Sequence, residues 1–275
     1  MTIAITGATG SIGGALFRQL SDAGADVRPI SRADASYADT SGLTAALRGT
    51  ETVFLVSGRE SLHRVLEHES AVEAIANAGA KRVVYLSFYG AAADCTFTFG
   101  RDHWHTEQRI RDSGLEFTFL RDNFYQKILP FFADRHGVIR GPAGDGVLSA
   151  VADRDVVDVA AAVLQDTGHN GATYDLTGPA DLSMRDIAAA LSRVSGREVT
   201  FVNETVEEAY VSRAHFGAPK FEVDGWVTTY LAIARGETAG VSGDVAALTG
   251  HKPQDFDAFL AENPATWAHL LPAAG

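Results

Sequence analysis

The chain has 275 residues, is 46% hydrophobic and carries a formal charge of −12 with a single cysteine, Cys95. That length buries the core of one main domain with an appended lobe and is short for two independent domains. The acidic balance disfavours a nucleic-acid partner, since the nearest basic pair, Lys81-Arg82, is expected in a solvated helix-to-strand loop, and one cysteine excludes an intrachain disulfide and any Cys-rich metal site.

Short apolar runs alternate with longer amphipathic segments through the first half, the pattern of repeated βα units around a parallel sheet. Strands are predicted at 2–6, 26–30, 52–56, 82–87 and 116–120, and helices at 12–23, 43–48, 62–78 and 104–113. Gly24, Gly79 and Gly114 stand at C-cap positions of these helices. A further helix is expected at 151–165 and a strand at 174–177. The fold class that follows is α/β, a doubly wound parallel sheet of the Rossmann kind over 1–178. Residues 179–275 form a smaller, mainly helical lobe, with a discontinuous boundary between the two. In that lobe Ser183-x-x-Asp186 is a capping-box variant ahead of a helix at 187–194; a strand at 198–202 and helices at 205–216, 221–235 and 254–261 follow. No signal-peptide pattern opens the chain and no apolar run approaches the roughly 18 residues of a membrane span, so a cytoplasmic protein with no membrane partner is expected.

The segment Gly7-Ala8-Thr9-Gly10-Ser11-Ile12-Gly13 lies between the apolar run Ile3-Ala4-Ile5 and the helical pattern Ala15, Leu16, Phe17, Leu20. A strand, a glycine turn and a helix in that order make a phosphate-binding turn, in which amide N–H groups of the helix N-terminus point at an anion. Gly7 suits a positive φ, Gly10 allows a pyrophosphate to approach bare backbone, and Gly13 allows the helix to pack closely on the strand. In an open parallel sheet the ligand lies beyond the carboxyl ends of the strands. There Ser31-Arg32 favours the 2′-phosphate of NADP over NAD, although Asp34 nearby leaves NAD open. Asp39 is placed to reach the adenine edge, Ser57-Gly58 to bring bare backbone against the cofactor, and Ser87-Phe88-Tyr89-Gly90 to face the nicotinamide.

Several stretches together carry a family resemblance: Thr6-Gly7-Ala8-Thr9-Gly10-Ser11-Ile12-Gly13, Phe54-Leu55-Val56-Ser57, Tyr85-Leu86-Ser87-Phe88, Thr106-Glu107, and Ser113-Gly114-Leu115-Glu116 running on to Arg121-Asp122-Asn123-Phe124-Tyr125. With them the chain resembles the NmrA-like atypical short-chain dehydrogenase/reductases, most of all the NAD(P)H:quinone oxidoreductase and triphenylmethane reductase branch. The resemblance extends over nearly the whole chain, including Leu248-Thr249-Gly250-His251-Lys252-Pro253. It implies a nicotinamide cofactor, with cofactor and substrate contacts near Tyr89, Asn123, Phe124 and Tyr125.

The wider superfamily moves a proton with Tyr-x-x-x-Lys, and the pair that aligns here is Phe99-x-x-x-His103. Phenylalanine cannot move a proton, which removes a contribution on the order of 10²- to 10⁴-fold in rate. His103 then stands where the lysine would donate to the nicotinamide ribose, unless it is simply a helix-surface residue, and Tyr125 is the reserve proton donor. Phe88, Tyr89, Phe97, Phe99, Trp104, Phe124 and Tyr125 offer an aromatic pocket, or simply core. His103 and His105, two apart on a helix, face different ways, so no metal site is expected. Cys95 is expected to be a passive loop residue. Two functions are compatible: an NADPH-dependent reductase of a quinone or similar electrophilic aromatic small molecule, or an NADP(H)-binding redox sensor acting through a protein partner. Transient-oxidation isomerase chemistry is disfavoured by the missing tyrosine. Either a monomer or a homodimer is expected.

Overall fold

Strand segments that are apolar on both faces belong inside a sheet covered on both sides. A computed structural model describing residues 1–271 places them there. In chain order the first half runs β1 (Ile3–Thr6), α1 (Ser11–Asp22), β2 (Val27–Ile30), α2 (Thr40–Leu47), β3 (Thr52–Val56), α3 (Arg64–Asn77), β4 (Arg82–Phe88), α4 (Thr98–Asp112) and β5 (Glu116–Asp122). A 3₁₀ stretch, Gln126–Phe132, leads to the short strands β6 (Val138–Gly141) and β7 (Val147–Leu148), and then α5 (Asp153–Gln165) and β8 (Thr173–Leu176) complete the main sheet. Its six strands lie in the order β2-β1-β3-β4-β5-β8, every neighbouring pair parallel. β1 has β2 on one side and β3 on the other, so the strand order reverses beside it and opens a crevice above the carboxyl ends.

Alternation along β1 divides the core. Ile3 and Ile5 pack with Leu16 and Leu20 of α1 and Val156, Val159 and Val163 of α5, while Ala4 faces Leu43 and Leu47 of α2 and Val72 and Ile75 of α3. The remaining elements are β9 (Leu182–Ser183), α6 (Met184–Ser195), β10 (Thr200–Asn203), α7 (Val206–Arg213), α8 (Lys220–Ala234), α9 (Asp244–Thr249) and α10 (Phe256–Glu262). β10 pairs with β6 and β9 with β7, so residues 138–148 join the second lobe although they precede β8 in the chain. The lobe core joins Leu129, Ile139 and Leu148 to Ile187, Leu191 and Ile233. The 248–253 stretch ties the lobe back to α5: His251 pairs with Asp158 at 3.2 Å, and the Gln254 amide donates to Asp155 at 2.8 Å. No helix among the described residues is long and apolar enough to cross a membrane.

The structure departs from the sequence-based expectations at identifiable places. α4 begins at Thr98 rather than at 104; its buried face carries Gly100, His103, Thr106 and Glu107 between Phe99 and Ile110, so the apolar stripe is interrupted. β6, β7, β9 and α9 are too short to register as periodic patterns. Arg82 is not solvated: its buried guanidinium donates to the carbonyls of Asp166 (2.9 Å) and Val163 (3.1 Å) and to the Thr118 hydroxyl (3.2 Å). The C-terminal carbonyls of α5 need donors from outside the helix, and Arg82 supplies them. At Ser183 and Asp186 both halves of the capping box form.

Candidate active site

Thr6 ends β1 and stitches it to β3, donating to the Phe54 carbonyl (3.1 Å) and accepting from the Val56 amide (2.9 Å) and the Tyr37 hydroxyl (2.6 Å). The chain then turns at Gly7, whose φ of 62° lies in the left-handed region. A Cβ on Gly13 would lie 2.5 Å from the Gly7 carbonyl oxygen and 2.8 Å from that of Thr6, so only glycine lets α1 approach β1 this closely. Gly10 is the N-cap of α1, and no side chain caps the helix. The amides of Ser11, Ile12 and Gly13 have no acceptor among the described residues, and Ala8 and Thr9 form the accessible lip of the turn. Uncapped amides at a helix N-terminus, with no Cβ in the way at Gly7 and Gly10, suit a dinucleotide diphosphate. Lys127, which sequence reading missed, brings a cation to this lip: its Nζ donates to Ser11 Oγ at 2.7 Å, pairs with Asp153 and lies 4.8 Å from the centre of the Tyr125 ring.

At the adenosine end, Asp34 accepts from both the amide (2.8 Å) and the hydroxyl (2.7 Å) of Ser31, and these bonds hold its carboxyl below the usual range. Arg32 beside it is exposed and has no ion-pair partner among the described residues. Asp39 does not reach out toward an adenine. It caps α2, accepting from the Gly42 amide at 2.9 Å.

Most polar side chains expected at the nicotinamide end turn inward instead. The Ser87 hydroxyl donates to Glu107 (2.6 Å), whose buried carboxylate also takes a two-pronged bond from Arg121 (2.9 and 2.7 Å). Ser57 is half-buried, whereas the Gly58 amide donates to Nε2 of His68 (2.7 Å) and the Gly58 carbonyl accepts from buried Arg64 (3.0 Å). Arg64 also donates to Nε2 of His103 at 3.0 Å. A guanidinium can only donate, so His103 carries its proton on Nδ1 and gives it to the Tyr85 hydroxyl, 3.0 Å away. His68 is fixed in the same tautomer, donating from Nδ1 to Thr106 Oγ1 at 2.8 Å. His103 is therefore a buried brace rather than a ribose ligand.

Three further expected contacts are also structural. Asn123 donates to the Thr238 carbonyl (2.9 Å), Tyr89 donates to the Ala239 carbonyl (2.8 Å), and Tyr125 donates to Asp122 on the side facing α1 and α5. Burial pushes the Asp122 carboxyl up to about 8 and the Tyr125 phenol well above its ordinary value, so Tyr125 holds its proton. Trp104 and His105 contact one another, with His105 exposed, and Cys95 is buried with its thiol pushed up by burial.

The aromatic expectation fares differently. Phe97, Phe99 and Phe124 line a cavity of about 970 Å³ between the carboxyl edge of the sheet and the second lobe. Phe88 stands behind them, its ring 4.9 Å from Phe97 and 5.0 Å from Phe124. The opposite wall comes from Ile128 and Phe132 of the 3₁₀ stretch and from Trp226 and Tyr230 of α8, which sequence reading did not anticipate. α8 meets Phe99 at Gly225, where any side chain would run into the ring. None of residues 7–13 lines this cavity, so the diphosphate turn and the aromatic space are separate. Glu60, an exposed residue of the loop after β3, also reaches the cavity, and partial desolvation there, with the carboxylates of Glu222 and Asp102 adding to it against Arg64, raises its carboxyl above the usual range.

The NmrA-like family model matches residues 33–219. The chain belongs to the NmrA-like family. Quinone oxidoreductase 2 of Escherichia coli is 30% identical over 90% of this chain and 94% of its own length. The structure of the E. coli NADPH-dependent quinone oxidoreductase complexed with NADPH superposes with a TM-score of 0.83, at 28% identity over 94% of this chain and 99% of that one. The (4-alkanoyl-5-oxo-2,5-dihydrofuran-3-yl)methyl phosphate reductase of Streptomyces griseus is 32% identical over 97% of this chain and 99% of its own length. Citrobacter triphenylmethane reductase complexed with NADP(H) matches with a TM-score of 0.80 at 26% identity, over 98% of this chain and all of that one (100%).

In this member of the NmrA-like family the buried imidazoles have a measurable signature. Burial, helped by the Arg64 charge, lowers His68 from 6.5 to about 3 and holds His103 well below its ordinary value. Their contribution to stability is complete above pH 6.5 and is lost as pH falls, because only the unfolded chain then takes up protons. Each contributes a slope of about 1.4 kcal/mol per pH unit. Asp122 tilts stability the opposite way between its unfolded value of 3.8 and about 8. The His68 contribution is therefore the difference between wild type and His68→Gln in urea denaturation between about pH 6 and pH 4. The wild type is expected to lose about one proton's worth of slope more than the variant; parallel curves would show that His68 is not held neutral.

Proposed function

We propose that this protein is an NADPH-dependent reductase that passes hydride to a quinone or a similarly electrophilic aromatic acceptor. The observation that carries the proposal is the aromatic cavity between the carboxyl edge of the sheet and the second lobe, separate from the glycine turn, with Phe99, which the sequence aligns with the usual tyrosine, in its wall and His103 locked between Arg64 and Tyr85. The names of the E. coli and Citrobacter relatives, a quinone oxidoreductase and a triphenylmethane reductase, support the same class of acceptor. NADPH, when bound, supplies the hydride. Residues 11–13 hold the diphosphate by their amides, and Arg32, with no carboxylate partner, receives the 2′-phosphate that distinguishes NADPH from NADH. Phe97, Phe99 and Phe124 hold the acceptor ring flat and exclude water from it.

Reduction of a quinone consumes one hydride and one proton. The oxygen that receives the proton is a ring-stabilised phenolate, so a strong acid is not required. Glu60 delivers that proton in this proposal, since its carboxyl reaches the cavity and keeps its proton to higher pH than an ordinary glutamate. Asp134 also lines the cavity, but its carboxylate accepts from the amides of His136 (2.7 Å) and Val138 (3.1 Å).

Purified protein with NADPH and naphthoquinone is expected to consume the nicotinamide absorbance above a protein-free control. Tight NADPH binding without acceptor-dependent consumption, across a panel of quinones and azo compounds, would favour the sensor instead. The rate is expected to fall as pH rises through the raised Glu60 pKa, and Glu60→Gln to flatten that limb at a rate about tenfold or more lower. An unchanged pH profile in the variant would assign the proton to solvent. Arg32→Asp is expected to weaken NADPH by about tenfold or more while leaving NADH nearly unchanged; equal losses in calorimetric titrations would remove Arg32 from phosphate recognition.

A further inference from the structure

We infer that the cavity selects an acceptor bearing an acid group: a multi-ring aromatic body with a carboxylate, sulfonate or phosphate at its outer end. This deepens the proposed function and presupposes that the cavity is the acceptor site. At about 970 Å³ the space is at the top of the roughly 300–1,000 Å³ range that encloses drug-sized ligands. Because residues 7–13 contribute nothing to its wall, the volume belongs to the acceptor rather than to the diphosphate. A small uncharged quinone would leave most of it to water.

The charges on the wall are sorted by position. Glu60 reaches the cavity from the loop after β3, on the sheet side. Arg135 and Arg140 come from the turn before β6 and from β6 itself, beside the imidazoles of His136, whose Nε2 accepts from Arg135 (3.4 Å), and of His215 after α7; all four residues are exposed. These two parts of the chain are tied into one wall by Arg213, which donates to the Arg140 carbonyl at 2.8 Å. Arg213 is itself neutralised by Glu204 at 3.1 Å and lies 5.2 Å from the Tyr230 ring centre. Arg135 and Arg140 have no carboxylate within ion-pair distance among the described residues, and Asp134, the acid on this stretch, has one carboxylate oxygen held by two backbone amides. On a chain of net charge −12 this outer wall sets two unpaired guanidinium groups, Arg135 and Arg140, against the single carboxylate of Asp134, around an aromatic mouth where Phe131 and Phe216 remain 64% and 63% exposed. Planar guanidinium donors match an oxyanion, and the exposed rings cover the aromatic body behind it. An acceptor bound in this sense points its reducible ring at the sheet and its anion at β6.

The test uses two three-ring quinones of similar shape, anthraquinone-2-sulfonate and uncharged 2-(hydroxymethyl)anthraquinone. Their binding to the protein without NADPH is followed by tryptophan quenching, Trp226 being in the wall. The sulfonate is expected to bind about tenfold tighter, and that preference to shrink as salt rises from about 50 to about 500 mM. Arg135→Ala combined with Arg140→Ala should abolish the preference with little change for the neutral quinone, while the corresponding Lys pair should largely retain it. Equal affinities in the wild type, or a preference that survives the Ala pair, would overturn the inference. Arg-dependent sulfonate binding without NADPH consumption would leave the anion selectivity standing and remove the reductase; reduction of both quinones with one KM, unchanged in the Ala pair, would do the reverse.

Discussion

The architecture depends on how closely α1 lies on the end of β1. At Gly13 a single Cβ would sit within 2.5 Å of the Gly7 carbonyl oxygen, and the obstacle is backbone that cannot rotate away. That approach aims the uncapped helix N-terminus into the crevice where the strand order reverses. The same constraint explains why Thr6 is buried and fully bonded. Its hydroxyl fixes β1 against β3 at the point where the chain leaves the sheet for the turn.

A buried polar network does for the other side of the sheet what Gly13 does for this one. Arg64, His68, His103, Tyr85 and Thr106 bond α3 and α4 to one another and to β4, and Ser87, Glu107 and Arg121 extend the bracing to β5. A buried polar group left unpaired costs roughly 1–3 kcal/mol, so these partners constrain one another tightly. The chemical consequence is a loss of freedom. The imidazoles of His68 and His103 are held here in fixed, neutral forms, and the aromatic residues in front of them are left to line the cavity.

Much of this was legible in the chain itself. The βα alternation, the glycine turn and the capping box at Ser183 are local signals: each follows from the periodicity or the backbone freedom of a few neighbouring residues, and each stands within a few positions of where it was expected. The polar site residues were not legible in the same way. Ser87, Asn123 and Tyr125 do lie at or near the carboxyl ends of strands and His103 within α4, but a sequence does not say whether a hydroxyl or an imidazole faces the crevice or the core. Their partners Glu107, Arg64, Thr238 and Asp122 decided that, and only Asp122 is a close neighbour in sequence.

What the sequence determined by itself is therefore the frame: a doubly wound sheet, an uncapped glycine turn at its first crossover, and the capping box that opens α6, all of them properties of short segments. Tertiary structure alone decided that Arg82 is buried, that His103 is a brace, and that Phe97, Phe99 and Phe124 share a cavity with residues from β6 and α8. The physical reason is range. Backbone conformation and apolar periodicity are set within a turn or a strand, whereas the partner of a buried polar group and the far wall of a cavity are set by contacts between residues tens to more than a hundred positions apart.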